Sequence, residues 1–190
     1  MPGPYNTDTT AEELVQDLAA QIYGKVILTT GVSPGGLGAY FAEAIAKAQP
    51  KLLILAGRNT SKAEATAQAI ASSSPGLETR LLELDLSSQK QVREAAAEVN
   101  AYPEPIDVLV NNAGIMASDY AKTVDGLESQ FGTNHIGPWL FTNLIMGKLL
   151  AAQNGARVVN VSSDGHRLGA IRFADWDFHV CSPASACSPD

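Results

Sequence analysis

Apolar positions along this chain follow two alternating rhythms. Runs at 26–30, 52–56, 79–84, 106–110 and 157–161 are rich in Val, Ile, Leu and Thr. Most are apolar at successive positions, as strands buried on both faces are. Between them the apolar residues recur every three or four positions, marking helix faces. Leu37, Tyr40, Phe41, Ala44, Ile45 and Ala48 define the first such face. Ser61 and Glu64 have the spacing of a capping box for an alanine-rich helix running to about Ser73. Ser88 to Gln91 opens a third helix along Val92, Ala95, Ala96 and Val99. A long helix is predicted over 124–151, with Leu127, Phe131, Leu140 and Leu144 inward. Pro138 should cost that helix a hydrogen bond and kink it. Ahead of all these, residues 1–9 read as a loose tail, and Thr10 with Glu13 forms a capping box for a short helix along Leu14, Val15 and Leu18.

Strands alternating with helices predict an α/β fold, a doubly wound parallel sheet covered on both faces. No repeat or linker divides it. The spacing gives an N-terminal tail and short helix over 1–23, one domain over 24–178 and an unstructured tail over 179–190.

With 190 residues the chain can bury a real core. Its net charge of −7 argues against nucleic acid or an anionic membrane as a partner. Cys181 and Cys187 both sit in the predicted tail, so no disulfide framework and no metal site is indicated. No run reaches membrane-spanning length and the start lacks a signal-peptide pattern, so a cytoplasmic protein is expected.

Candidate chemistry begins after the first strand, where Gly31, Gly35, Gly36 and Gly38 lead into a helix. Glycines there permit a tight turn and close backbone approach to a pyrophosphate seated on the helix N-terminus. Such turns also merely connect strands to helices. Gly31-Val-Ser33-Pro-Gly35 also fits the Gly-x-Ser-x-Gly nucleophile elbow. The residue after that serine must donate an oxyanion-hole N–H, and Pro34 has none. Ser163, Asp164 and His166 are the residue types of a triad, but side chains so close in sequence rarely converge. His135 reads as packed or solvated, and Trp176 with Asp175 and Asp177 as a surface loop.

Two further motifs narrow the reading. Asn111-Asn112-Ala113-Gly114 follows the fourth strand directly, and Phe131-Gly-Thr-Asn134-His-Ile-Gly137 lies in the helix after it. Val158-Val-Asn-Val-Ser-Ser163 then forms the fifth strand and its exit. With the glycine turn, these motifs resemble the short-chain dehydrogenase/reductase family over residues 24 to about 178. The resemblance implies a Rossmann-type fold and an oxidoreductase of carbonyl or alcohol substrates. It places Thr30, Gly31, Ser33, Gly36, Leu37 and Gly38 in the cofactor loop. The glycine spacing departs from the family's: either Gly35 fills the second place, or one residue is inserted. Asn112 and Gly114 would line the nicotinamide side and Asp85 would lie near the adenine. Asp85 could equally end a strand and cap the helix at Ser88.

Arg58 stands past the second strand, and no acid occupies residues 52–61. An acid near there favours the ribose hydroxyl of NAD, and an arginine can pair with the 2′-phosphate of NADP. NADP is therefore expected, with NAD the alternative, although Arg58 could be a surface charge. The resemblance also implies that Ser163 holds the substrate oxygen and that Asn134 supports proton relay. The family's general acid is a tyrosine, followed four residues later by lysine. No tyrosine or lysine follows Ser163 here. The pattern thus reads as truncated before that motif, with the fifth strand left as an open edge and solubility poor. A small-molecule oxidoreductase, impaired in this chain and a homo-oligomer if full length, is the first expectation. A non-catalytic nucleotide-binding fragment or interaction protein is the second.

Overall fold

Strand β1 (Val26–Thr30) lies at the centre of a five-stranded sheet of order β3-β2-β1-β4-β5, every pair parallel. The other strands are β2 (Leu52–Gly57), β3 (Glu78–Glu83), β4 (Val108–Asn111) and β5 (Arg157–Asn160). The structure is a computed structural model that describes residues 5–171 and 173–178. The predicted tail, with Cys181 and Cys187, lies outside the described residues.

Side chains alternate across a strand, so β1 and β2 feed two cores. Leu28 and Ile54 pack on one face with Val92, Ala96 and Val99 of α5 (Gln89–Ala101). Ile27, Leu53 and Leu55 pack on the other with Ala42 and Ile45 of α3 (Leu37–Ala46) and Ile70 of α4 (Thr60–Ser73). Burial on both faces is the reason β1 is apolar over Val26–Leu28 and β2 over Leu52–Ala56. Helix α1 (Ala11–Asp17) carries the expected capping box, with Thr10 accepting from the Glu13 N–H, and buries Val15 in the α3 side. A short α2 (Ala19–Ile22) leads into β1.

Three local expectations need correction. Helix α4 is capped by Asn59, which accepts from the Lys62 N–H at 3.1 Å, and not by a box at Ser61. Asn59 is already extended (φ −109°, ψ 102°), as an N-cap must be. Helix α3 turns Ala39, Ala42 and Ala46 to the sheet and leaves Leu37 and Tyr40 exposed. The predicted face is buried at Ala44, Ile45 and Ala48, while Leu37 and Tyr40 at its start lie outside the contact.

The long helix starts at Ser129, not at 124, and it is not continuous. It comprises α6 (Ser129–Phe131), a π-turn (Gly132–Ile136), α7 (Gly137–Leu144) and α8 (Met146–Leu150). Glu128 caps it, accepting from the N–H groups of Gln130 (2.9 Å) and Phe131 (2.7 Å). The π-turn precedes Pro138, whose missing N–H and bulky ring an ordinary turn would not accommodate. One extra residue in the turn rotates everything after it by about a residue. Phe141 and Ile145 are therefore fully buried where Leu140 and Leu144 were expected, and those two pack only at the margin.

Among the described residues β5 is a sheet edge, and all four of its residues are exposed.

Candidate functional site

In the strand order β1 and β4 are neighbours, and their chain crossovers leave in opposite directions. A crevice opens outside the strand ends at such a point. The loops after β1 and β4 meet there. The Thr30 hydroxyl accepts from the N–H groups of Asn112 (3.1 Å) and Ala113 (3.0 Å). The Asn112 amide donates to the carbonyls of Thr30 (2.9 Å) and Gly31 (3.1 Å). Gly31 has φ +75°, and a Cβ on it would come within 2.7 Å of Ala113 Cα. A Cβ on Gly38 would lie 2.5 Å from Asn112 Nδ2. Thr30, Gly31, Gly38 and Asn112 thus form one interlocked corner in which two loops and a helix touch.

Around this corner runs a cleft of about 500 Å³ lined by Thr30, Gly31, Ser33, Leu37, Arg58, Lys62, Asp85, Asn112 and Gly114. Gly36 is the N-cap of α3 and contributes no side-chain bond, so the helix's first N–H groups have no side-chain acceptor. The glycine roles divide: Gly36 opens the helix, while Gly31 and Gly38 are the two held in contact. Arg58 and Lys62 are exposed and form no ion pair among the described residues. Lys62 went unnoticed in the sequence. It lies in the first turn of α4 and lines the same cleft as Arg58. Asp85 accepts from the N–H (2.9 Å) and hydroxyl (2.6 Å) of Ser87, while Ser88 caps α5. It therefore shapes a turn and borders the cleft at once.

Asn112, Ala113, Gly114, Ile115 and Leu37 also border a second cleft of about 830 Å³. Asn134 and Ser163 both line it. The π-turn carries Asn134, whose Oδ1 accepts from the Ile115 N–H and whose Nδ2 donates to the Ile115 carbonyl, each at 2.8 Å. Side chain and backbone thus pair in both directions and fix the chain after Gly114. The Ser163 hydroxyl accepts from the Gly165 N–H at 3.1 Å and caps a short 3₁₀ turn (Asp164–Leu168). Asp164 pairs with Arg167 at 3.0 Å, and His166 Nδ1 lies 2.7 Å from the Ser163 carbonyl oxygen. Neither side chain addresses the Ser163 hydroxyl, which argues against a triad.

Asn111 is a further residue of this wall. Its amide donates to Thr142 Oγ1 (3.1 Å) and Asn160 Oδ1 (2.9 Å), tying β4 to α7 and to the edge strand. Among the described residues no three His, Cys, Asp or Glu side chains are grouped to hold a metal ion, and no helix is long and apolar enough to cross a membrane.

The family model for short chain dehydrogenases matches residues 25–175. Oxidoreductase fscI of Fusarium equiseti is 34% identical over 178 residues, 92% of this chain and 69% of that protein. Retinol dehydrogenase 13 of Homo sapiens is 40% identical over 161 residues, covering 85% of this chain and 48% of that protein. A crystal structure of an uncharacterised protein from Mycobacterium paratuberculosis matches with a TM-score of 0.71 at 38% identity, covering 86% of this chain and 56% of that one. The chain spans about half the length of the retinol dehydrogenase, at 48%. The crevice at the β1–β4 switch, the Asn112 corner and these matches together establish that the chain belongs to the short-chain dehydrogenase family.

Proposed function

We propose that this chain is the nucleotide-binding part of an NADP(H)-dependent oxidoreductase of carbonyl or alcohol substrates. The observation that carries the reading is the pair Arg58 and Lys62 on the rim of the β1–β4 cleft, with no acid in residues 52–61. Two cations beside a ribose site suit a phosphate, and a guanidinium does so by paired hydrogen bonds. The residues present fit the dinucleotide in other ways. The start of α3 offers N–H groups to a pyrophosphate. Asn112 and Gly114 stand between the nucleotide cleft and the second one.

When bound, the nicotinamide supplies or accepts the hydride. The chain's own residues orient the reactants. Ser163 has a hydroxyl free to donate to a substrate oxygen, since its bond to Gly165 uses it as an acceptor. Asn134 holds the Ile115 backbone, keeping the wall between the two clefts in place. A proton donor to the substrate oxygen is still required, and no tyrosine or lysine follows Ser163. We infer binding of NADPH by the cleft residues named above.

Titration of NADPH and NADH, followed by nucleotide fluorescence, tests the cofactor preference. NADPH should bind more tightly, and Arg58→Glu should weaken it roughly 10–100-fold while leaving NADH nearly unchanged, the size expected for lost charge-assisted bonds to phosphate. Equal affinities, or no response to Arg58→Glu, would overturn the preference.

A further inference from the structure

Beyond the nucleotide cleft, the stretch after the fifth strand exposes Phe173 and Trp176 as a surface loop would, but Asp177 turns inward. Asp177 is only 4% exposed. Its Oδ1 accepts from the Glu128 N–H at 2.5 Å and its Oδ2 from Lys122 Nζ at 3.0 Å. Its carbonyl accepts from the Tyr120 hydroxyl at 3.3 Å. Next to it Trp176 packs on Phe131 (5.4 Å between ring centroids), and Phe131 stacks in turn on His135 (5.3 Å).

Each of these partners lies on the segment that delivers Asn134. Glu128 is the N-cap of α6, and its buried carboxylate holds the Gln130 and Phe131 N–H groups. Gln130 reaches back to accept from the Ala117 N–H at 3.2 Å. Phe131 precedes the π-turn and His135 lies within it, next to Asn134. Two non-glycine residues here adopt left-handed backbone, Ala117 (φ 53°) and Phe178 (φ 53°). Such conformations persist only where surrounding contacts over-determine them.

We propose that Asp177 is a positioning residue: it straps the chain beyond β5 onto the 120–131 loop and so fixes the π-turn that sets Asn134 against Ile115. The strap acts through Glu128 and Phe131 and touches neither cleft's nucleotide wall. It couples the segment after Ser163 to the segment carrying Asn134, so the two residues proposed to act on the substrate are tied together through one carboxylate. Its positioning role rests on the proposed oxidoreductase site, but the contact itself does not.

The test therefore reads local order without cofactor or turnover. In the unliganded protein, the Ile115 amide and the Asn134 side-chain NH₂ are followed by NMR, with hydrogen exchange measured across 115–136 and across the central strands. Asp177→Ala should raise exchange at Ile115 by about tenfold or more, as loss of charge-assisted bonds implies. It should also shift the Asn134 NH₂ signals, with exchange in 26–30 and 52–57 unchanged. Asp177→Asn keeps an acceptor for the Glu128 N–H and should restore most of the Asn134 signature. Lys122→Met should add little to Asp177→Ala, because both break one contact. Unchanged Ile115 exchange in Asp177→Ala would overturn the proposal. So would an equal rise in the central strands, which marks general destabilisation, or a failure of Asp177→Asn to rescue. NADPH affinity, measured separately, bears on the oxidoreductase reading and not on this one.

Discussion

Gly31 and Gly35 offer a matched pair of substitutions. Both have left-handed backbone, φ +75° and φ +77°. A Cβ at Gly35 would meet nothing within 4 Å, whereas a Cβ at Gly31 would lie 2.7 Å from Ala113 Cα and 3.0 Å from Ala113 N. Gly35→Ala thus costs only the conformational term, about 1–2 kcal/mol for an L-residue in this region, offset by up to about 1 kcal/mol from a stiffer unfolded chain. Gly31→Ala carries the same terms plus overpacking against backbone that cannot rotate away, about 1–3 kcal/mol more. The β4 loop cannot yield freely, because Thr30 and Asn112 bind the same corner. Urea unfolding of both variants at constant m-value measures the difference. Gly31→Ala should be the less stable by about 1–3 kcal/mol, equivalent to a further fall in Tm of very roughly 2–12 °C in a domain of this size. Equal losses would show that backbone conformation alone selects glycine at Gly31, and that the approach of Ala113 has no energetic weight.

Other expectations follow from single contacts. Asn112→Leu removes two bonds to the Thr30 and Gly31 carbonyls. It should cost about 1–3 kcal/mol by urea unfolding, with NADPH affinity falling in parallel. Tyr102 lies over the Arg80 guanidinium and donates to Glu98 at 2.6 Å. Burial first, and then the Glu98 carboxylate, push its phenol well above the ordinary tyrosine range. Because the folded value is raised, its stabilising contribution is complete below pH about 10 and declines as the unfolded chain ionises above that. Alkaline titration at 295 nm should show one tyrosine ionising last, and Tyr102→Phe should remove that step. Replacing the Glu128 cap by alanine should cost about 1–2 kcal/mol and increase exchange at the Gln130 and Phe131 amides before the rest of α7.

Where the sequence-based expectations failed, the cause is identifiable. The helix over 124–151 was read with one unbroken period. Its inserted π-turn moved the buried positions from Leu140 and Leu144 to Phe141 and Ile145. An inserted residue leaves no mark on a hydrophobic pattern until its register is seen against a sheet. Leu37 and Tyr40 belong to the predicted apolar face, yet only its later positions, Ala44, Ile45 and Ala48, are buried. Asp177 was expected at the surface because acids usually are, and it became buried by pairing with Lys122 and the Glu128 N–H.

The alternation of strand and helix rhythms, and the motifs at Gly31, Asn111-Asn112 and Asn134, were determined by sequence alone. Local periodicity and turn chemistry act within a few residues, so they are legible in one dimension. The tertiary structure decided what those residues touch. Asn112 was expected beside a nucleotide, and its amide is also the tie between β1 and β4. Lys62 lines the cleft with Arg58, in the first turn of α4 after the cap at Asn59. Asp177 met Glu128 across a separation of 49 residues. Such contacts depend on where the sheet order and helix packing bring distant backbone together, and no spacing along the chain encodes that.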